Sequence, residues 1–219
     1  MTHLTTNLKT FALAVSIGIA TLLNASKADA RDMQTITVAG GCFWCVESDF
    51  EKVRGVAEVV SGYTGGTTEN PTYATMSGSG HYEAVEIRFD RGQISERQIY
   101  DLFFRSIDPL DAGGQFCDRG DSYRTAIFVS TQAQLDAARA AKASAEAELG
   151  QTVVTPIMQA APFYEAEAYH QDYYKGSRLL LTRAGPKRQD EAYAFYREAC
   201  GRDARVEAIW GSNAPFITH

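Results

Sequence analysis

The chemistry in this sequence is concentrated in four cysteines, one glutamate set among apolar residues, and two tyrosines beside breaker-rich loops. The densest group is Gly40-Gly41-Cys42-Phe43-Trp44-Cys45-Val46-Glu47. Apolar Phe43, Val46, Phe50 and Val53 recur three or four apart, the spacing of one helix face. The two glycines before them permit a tight strand-to-helix turn. Cys42 therefore falls at a helix N-terminus, where free N–H groups and the positive end of the dipole favour a thiolate. Three uses of the stretch are open: a buried pair of thiols packed as small apolar groups, a C-x-x-C redox or metal motif, and a catalytic cysteine beside an apolar pocket lined by Phe43 and Trp44.

The remaining candidates are single residues. Glu83 alternates with Val85, Ile87 and Phe89, so it faces inward with them. Burial would raise its pKa and let it donate a proton near neutrality; an edge-strand acid in a salt bridge is the plain structural reading. Tyr73 and Tyr123 are either half-buried core tyrosines or hydroxyl donors to an oxygen on a substrate. Asp118, in a Gly-rich loop, is a turn former or a site residue. His81 and His170 lack the ligand spacing of a metal site and are read as structural.

These residues need a scaffold. Strands are expected at Gln34–Ala39, Val56–Tyr63, His81–Asp90, Tyr123–Ser130 and Gln151–Ala160. Helices are expected at Cys42–Val53, Glu96–Ile107 with Ser95 as its cap, Thr131–Leu149, Glu165–Tyr174, Arg188–Cys200 and Arg202–Trp210. Thr72–Met76 reads as one helical turn. The order is β-α-β, β-α-β, then α-β and a helical tail. It predicts an α/β (α+β) fold: a ferredoxin-like split βαβ core with a mixed sheet, an extra strand, and helices mainly on one face.

The 219 residues suit one domain of ordinary size, and neither composition nor a net charge of −6 suggests a nucleic-acid partner. Residues 1–30 read separately. Phe11–Leu23 is an apolar run, short for a membrane span of about 20 residues, and Ala28-x-Ala30 follows it. This predicts a signal peptide cleaved after Ala30, with residues 31–219 forming a single exported, periplasmic domain that does not engage a membrane. In that oxidising setting the four cysteines are also open to a purely structural reading as two disulfides.

Five ordered motifs carry a resemblance. They are Gly41-Cys42-Phe43-Trp44; Ser61-Gly62-Tyr63-Thr64-Gly65-Gly66 with Asn70-Pro71-Thr72-Tyr73; Gly80-His81-Tyr82-Glu83-Ala84-Val85; Asp118-Arg119-Gly120-Asp121-Ser122-Tyr123-Arg124-Thr125; and Phe163-Tyr164-x-Ala166-Glu167-x-Tyr169-His170-Gln171-Asp172-Tyr173-Tyr174. From Ile36 to Trp210 the chain resembles the peptide-methionine (S)-S-oxide reductases, the A-type methionine sulfoxide reductases. The resemblance implies that Cys42 is the nucleophile and that Phe43 and Trp44 receive the substrate's S-methyl group. It implies that Glu83 protonates the sulfoxide oxygen, that Tyr73 and Tyr123 bind it, and that Asp118 helps hold the site. Attack would leave Cys42 as a sulfenic acid, which a second thiol converts to a disulfide. An external, thioredoxin-like dithiol would then reduce that disulfide, with no bound cofactor or metal. The substrates implied are oxidised proteins or peptides.

The chain departs from the family pattern where many members carry Gly (here Cys45), where many carry Asn (here Cys117), and through the tail after Lys175. The resolving cysteine is therefore open among Cys200, in the usual tail position, Cys117 and Cys45. Two other functions compete: a thioredoxin-like thiol–disulfide oxidoreductase using Cys42 and Cys45, and a C-x-x-C carrier of a soft metal ion.

Overall fold

The computed structural model describes residues 32–217; the expected signal peptide lies outside them. The sheet has six strands. Four form its centre, β1 (Met33–Gly40), β2 (Val56–Thr64), β3 (Tyr82–Asp90) and β6 (Thr125–Val129), and with β7 (Ile157–Gln159) and β8 (Tyr164–Glu165) at its edges the order is β7-β6-β1-β3-β2-β8. All their pairings are antiparallel, and β3 lies between β1 and β2. Helix α1 (Phe43–Phe50) connects β1 to β2, and α2 (Glu96–Phe104) begins the return from β3 to β6. That is the split βαβ arrangement expected from the element order.

Alternation along β3 divides the two faces of the sheet. Val85, Ile87 and Phe89 are buried with Ile36, Val38 and Ile127 in the main core, which also takes Phe43, Val46 and Phe50 from α1 and Ile99, Phe103 and Phe104 from α2. Each fully buried side chain of this size stabilises the fold by roughly 1.5–3 kcal/mol. The opposite face carries the smaller Ala39, Ala84 and Ala126 with Tyr82 and Phe128. Ser95 caps α2 as expected, in a reciprocal capping box with Gln98. Helix α3 (Gln132–Leu149) starts at its Thr131 cap and crosses to β7 (Ile157–Gln159), which pairs parallel with β6 and makes the sheet mixed.

The second half of the chain departs from the expected elements. The strand expected at Gln151–Ala160 is only β7. The Val153 N–H donates to Glu146 and the Val154 N–H to the Pro109 carbonyl, and Pro156 has no N–H to give a ladder. The strand expected from Tyr123 begins at Thr125; Tyr123 itself ends a short 3₁₀ turn.

The helix expected at Glu165–Tyr174 is absent. Tyr164–Glu165 forms β8 against Gly62 and Tyr63. The Ala166 N–H donates to the Ser61 carbonyl, and the Gln171 side chain brackets Ser61, accepting from its N–H at 2.9 Å and donating to its carbonyl at 2.9 Å. Asp172 then turns at φ +52° into a 3₁₀ turn, Tyr173–Lys175. Sheet pairing and Gln171 thus take the hydrogen bonds a helix would have used.

The tail carries a hairpin the sequence reading lacked, β9 (Leu179–Thr182) with β10 (Gly185–Arg188), before helices α4 (Gln189–Ala199) and α5 (Arg202–Trp210). A two-residue pair, β4 (Gly114–Gln115) with β5 (Asp118–Arg119), forms in the long loop before Tyr123. Among the described residues no helix is long and apolar enough to cross a membrane.

Candidate active site

Cys42 is the N-cap of α1, one residue shorter than the helix start expected there. Gly41 precedes it at φ +81°, a conformation that glycine adopts without a Cβ penalty. A Cβ built at Gly41 would lie 2.6 Å from the Gln115 Cβ. Gln115 is itself fixed: its Oε1 accepts from the Asp108 N–H at 2.8 Å, and its Nε2 donates to the Asp108 and Gly114 carbonyls, each at 2.9 Å. The turn that aims Cys42 is thus clamped from the loop side.

Glu83 sits behind this turn, 1% exposed. The Phe43 N–H, one of the free donors of the first helical turn, donates to its Oε2 at 3.1 Å. Burial drives the Glu83 pKa up to about 8, reinforced by the negative charge of Asp118 and Cys45; the hydrogen bonds from Phe43 and from the Tyr123 hydroxyl only partly offset this. The carboxyl is therefore predominantly protonated at neutral pH. The Tyr123 hydroxyl also shares a hydrogen bond with that of Tyr73. Both phenols are pushed up by burial and the nearby Glu83, so both remain neutral donors. Tyr73 is 41% exposed and forms the outer rim, tied by its N–H to Glu167 at 3.0 Å.

The aromatic side chains form one cluster. Phe43 is buried against Tyr63 at 5.8 Å and His170 at 5.0 Å. Trp44 lies flat on Tyr173, ring centroids 3.6 Å apart and 8° from parallel. His170 also meets Trp44 at 5.6 Å and Tyr73 at 4.7 Å. Burial lowers the pKa of His170, keeping it neutral as a wall of this cluster. His81 works elsewhere: its Nδ1 accepts from the Gly66 N–H at 3.2 Å and its Nε2 donates to the Thr68 carbonyl at 2.9 Å, clasping the loop between β2 and β3.

The four cysteines line one cavity of about 280 Å³, together with Trp44, Phe116, Asp118 and Arg202. On one wall the free thiols of Cys42 and Cys45 share a hydrogen bond. On the other, Cys117 and Cys200 form a disulfide, with Cα atoms 4.9 Å apart. Cys117 is exposed, beside Asp118, in the turn of the β4–β5 pair; Cys200 caps the end of α4. Two of the three candidates for the resolving thiol are therefore bonded to each other, and Cys45 is the one in contact with Cys42.

The charge on the thiol pair differs from the helix-dipole expectation. Cys42 is held well above the ordinary thiol range by its hydrogen bond to Cys45, by burial, and by the negative Glu83 and Asp118. Cys45 accepts that bond and is lowered to about 7, with further help from Arg202 and Arg197. The two thiols thus ionise as a pair, sharing their first negative charge across the Cys42–Cys45 hydrogen bond.

Several residues of the site escaped sequence reading. Glu47 is buried one turn after Phe43, accepts from the Ser61 hydroxyl at 3.0 Å and the Asp172 N–H at 2.7 Å, and is raised by burial to about 7. It ties α1 to β2 and to the segment that carries His170 and Tyr173. An acid at i+4 from Phe43, on the helix's apolar face, was its signal. Arg197 grips buried Asp49 at 2.8 Å, and Arg202 donates to the Gly40 and Ser106 carbonyls at 3.3 and 2.8 Å. These two guanidiniums anchor the tail helices under the cysteine cavity.

Residues 34–203 match the peptide methionine sulfoxide reductase family. A peptide methionine sulfoxide reductase MsrA 2 of Rhizobium meliloti is 46% identical over 187 residues, covering 85% of this chain and 88% of that protein. A second MsrA 2, from Caulobacter vibrioides, is 44% identical over 203 residues, 91% of this chain and 94% of its own length. The reduced form of Mxr1 from Saccharomyces cerevisiae superposes with a TM-score of 0.63 at 28% identity, covering 68% of this chain and 88% of that one. With the fold and these matches agreeing over most of its length, the chain belongs to the peptide methionine sulfoxide reductase family.

Proposed function

We propose that the chain reduces the S-epimer of methionine sulfoxide in proteins, with Cys42 as nucleophile and Glu83 as proton donor. The observation that carries the reading is Glu83: a buried carboxyl, pKa about 8, hydrogen-bonded to the N–H of the residue after Cys42. A sulfoxide sulfur is a poor electrophile until its oxygen takes a proton or strong hydrogen bonds. Glu83 supplies the proton, and the Tyr73 and Tyr123 hydroxyls hold the oxygen. Phe43 and Trp44, with His170 beside them, give the S-methyl group an apolar surface, and Asp118 borders the nucleophile.

Cys42, its proton drawn off to Cys45, attacks the sulfoxide sulfur as Glu83 protonates the oxygen, forming a transient S–S bond. The hydroxyl then moves from the methionine sulfur to the Cys42 sulfur as the S–O and S–S bonds to methionine break, so methionine leaves and Cys42 remains as a sulfenic acid. A thiol of the chain condenses with it, releasing water and forming an intramolecular disulfide, which an external thioredoxin-like dithiol reduces. No prosthetic group is required. Free methionine sulfoxide would be a second substrate of the same pocket. The family's activity also sets the thioredoxin-like oxidoreductase and metal-carrier alternatives aside, because neither uses Glu83 or the tyrosine pair.

Export to the periplasm belongs to the same proposal. It rests on the apolar run Phe11–Leu23 and the Ala28-x-Ala30 site. A periplasmic form whose N-terminus is Arg31 is the expected product.

The test is single-turnover reduction of a dabsylated methionine S-sulfoxide by the reduced protein, with the R-sulfoxide as control. Consumption of the S-epimer alone, lost in Cys42→Ser, is the expected result. Consumption of neither epimer, or turnover by Cys42→Ser, overturns the assignment.

A further inference from the structure

The tail hairpin exposes apolar surface that the fold does not use. We propose that β9 is a docking rail for an extended segment of the oxidised polypeptide, one that carries apolar and acidic residues beside its methionine sulfoxide. Such a rail presupposes the reductase reading above and adds which polypeptides that site takes.

Alternation divides the two faces of β9. Leu180 is half-buried and Thr182 buried, whereas Leu179 and Leu181 are 70% and 88% exposed, the most exposed large apolar side chains among the described residues. The register sets Pro186 opposite Leu181 and Arg188 opposite Leu179, so the outer face is two leucines, a proline and an arginine stem. Among the described residues β9 pairs with β10 alone. Its other edge therefore keeps backbone donors and acceptors for an added strand, while Pro186 has no N–H to offer on β10. An apolar strand edge of this kind is an aggregation hazard that a fold without a use for it would blunt.

Continuity with the catalytic cavity and charge decide the occupant. Immediately before β9, the charge of Arg178 acts on Tyr173, the ring stacked on Trp44. Immediately after it, Arg183 lines the cavity that holds Cys42. A polypeptide whose sulfoxide sulfur meets Cys42 thus has β9 beside its flanking residues. Residues 176–189 carry Arg178, Arg183, Lys187 and Arg188 and no acid, in a chain of net charge −6. Arg188 is paired with Asp190. Arg183 lies over the Tyr196 ring at 5.9 Å and Lys187 over the Phe195 ring at 5.4 Å. Those rings, on helix α4, position the cations without neutralising them. The complement of two leucines among cations is a strand that alternates apolar and acidic residues.

Steady-state kinetics on the full chain test the rail. The substrates are an extended peptide whose methionine S-sulfoxide is flanked by Leu and Asp, the same peptide with Gly and Ser flanks, and N-acetylmethionine S-sulfoxide. Wild type should show the lower KM for the Leu/Asp peptide, and Lys in place of Asp should raise it severalfold. Leu179→Ser/Leu181→Ser should raise KM for the Leu/Asp peptide about tenfold, from the leucine area no longer buried. Its kcat, its KM for N-acetylmethionine S-sulfoxide and its thermal melt should match wild type. Equal KM values for the Leu/Asp and Gly/Ser peptides in wild type, a comparison that needs no variant to fold, overturn the rail. So does a rise in the double variant confined to KM for thioredoxin, which assigns the hairpin to the reductant. Leucine-dependent sedimentation with phosphatidylglycerol vesicles, with peptide KM unchanged, assigns it to a membrane and overturns the rail as well. Failure of wild type to reduce N-acetylmethionine S-sulfoxide overturns the reductase reading instead.

Discussion

Replacing Glu83 by Gln should slow the enzyme and stabilise the alkaline protein, and both effects follow from one buried proton. The amide keeps the side chain's length and an oxygen to accept the Phe43 N–H, 3.1 Å away in the native site. It has no acidic proton to give. General acid catalysis contributes about 10²–10⁴-fold, so the single-turnover rate should fall by that factor, about 3–5 kcal/mol in barrier. The wild-type rate should also drop about tenfold per pH unit above about 8, where Glu83 ionises. The variant should lack that alkaline limb. The stability effect has a definite sign. Glu83 has a folded pKa of about 8 against an ordinary value of 4.5. Between those values the native state binds a proton that the unfolded state does not, so stability falls as pH rises through the interval. At about 1.4 kcal/mol per pH unit over the interval, the wild type loses roughly 5 kcal/mol from this group by pH 9. Urea denaturation of both proteins at pH 5 and pH 9 isolates the term. Glu83→Gln should gain several kcal/mol on wild type between the two conditions. A pH-independent difference would show that the Glu83 carboxyl is not held neutral by burial. A single-turnover rate within threefold of wild type would remove it as the acid.

Three other perturbations probe the support of the site. Gly41→Ala places a Cβ 2.6 Å from a pinned Gln115 at φ +81°; strain of about 1–3 kcal/mol should displace Cys42 and cut kcat about 10²-fold, read by steady-state assay beside a thermal melt. Arg197→Met leaves Asp49 buried without its 2.8 Å partner and should cost about 3–5 kcal/mol in urea denaturation, with Asp49→Asn in the same chain restoring much of it; it should also raise the Cys45 pKa above about 7, seen in thiolate absorbance at 240 nm. Trp44→Ala removes the flat stack on Tyr173 and one wall of the methyl pocket; KM for the sulfoxide should rise more than kcat falls, and a change confined to kcat would take Trp44 out of the binding surface.

What the sequence discloses here follows the range of the interactions involved. Phe43, Val46 and Phe50 repeat at helix spacing and are buried, and Glu83 lies on the face that Val85 and Ile87 define, so both were legible from neighbours alone. Ser95 and Thr131 cap their helices through bonds three residues long. The segment after Pro162 has no such local determinant. Gln171 reaches Ser61 across 110 residues and Glu47 takes the Asp172 N–H across 125. A helical pattern there loses to partners that no window of sequence contains. The cysteines divide the same way. Cys42 and Cys45 are one helical turn apart, and their spacing announces a pair. Cys117 and Cys200 are 83 residues apart, and Arg197 and Arg202, on either side of Cys200, help bring them together by binding Asp49 and Gly40 at either side of the nucleophile. The tail is therefore held by the same element that presents Cys42. A loss of that grip should uncouple recycling from the first turnover, which is why Arg197→Met should release its first methionine faster than it can be recharged.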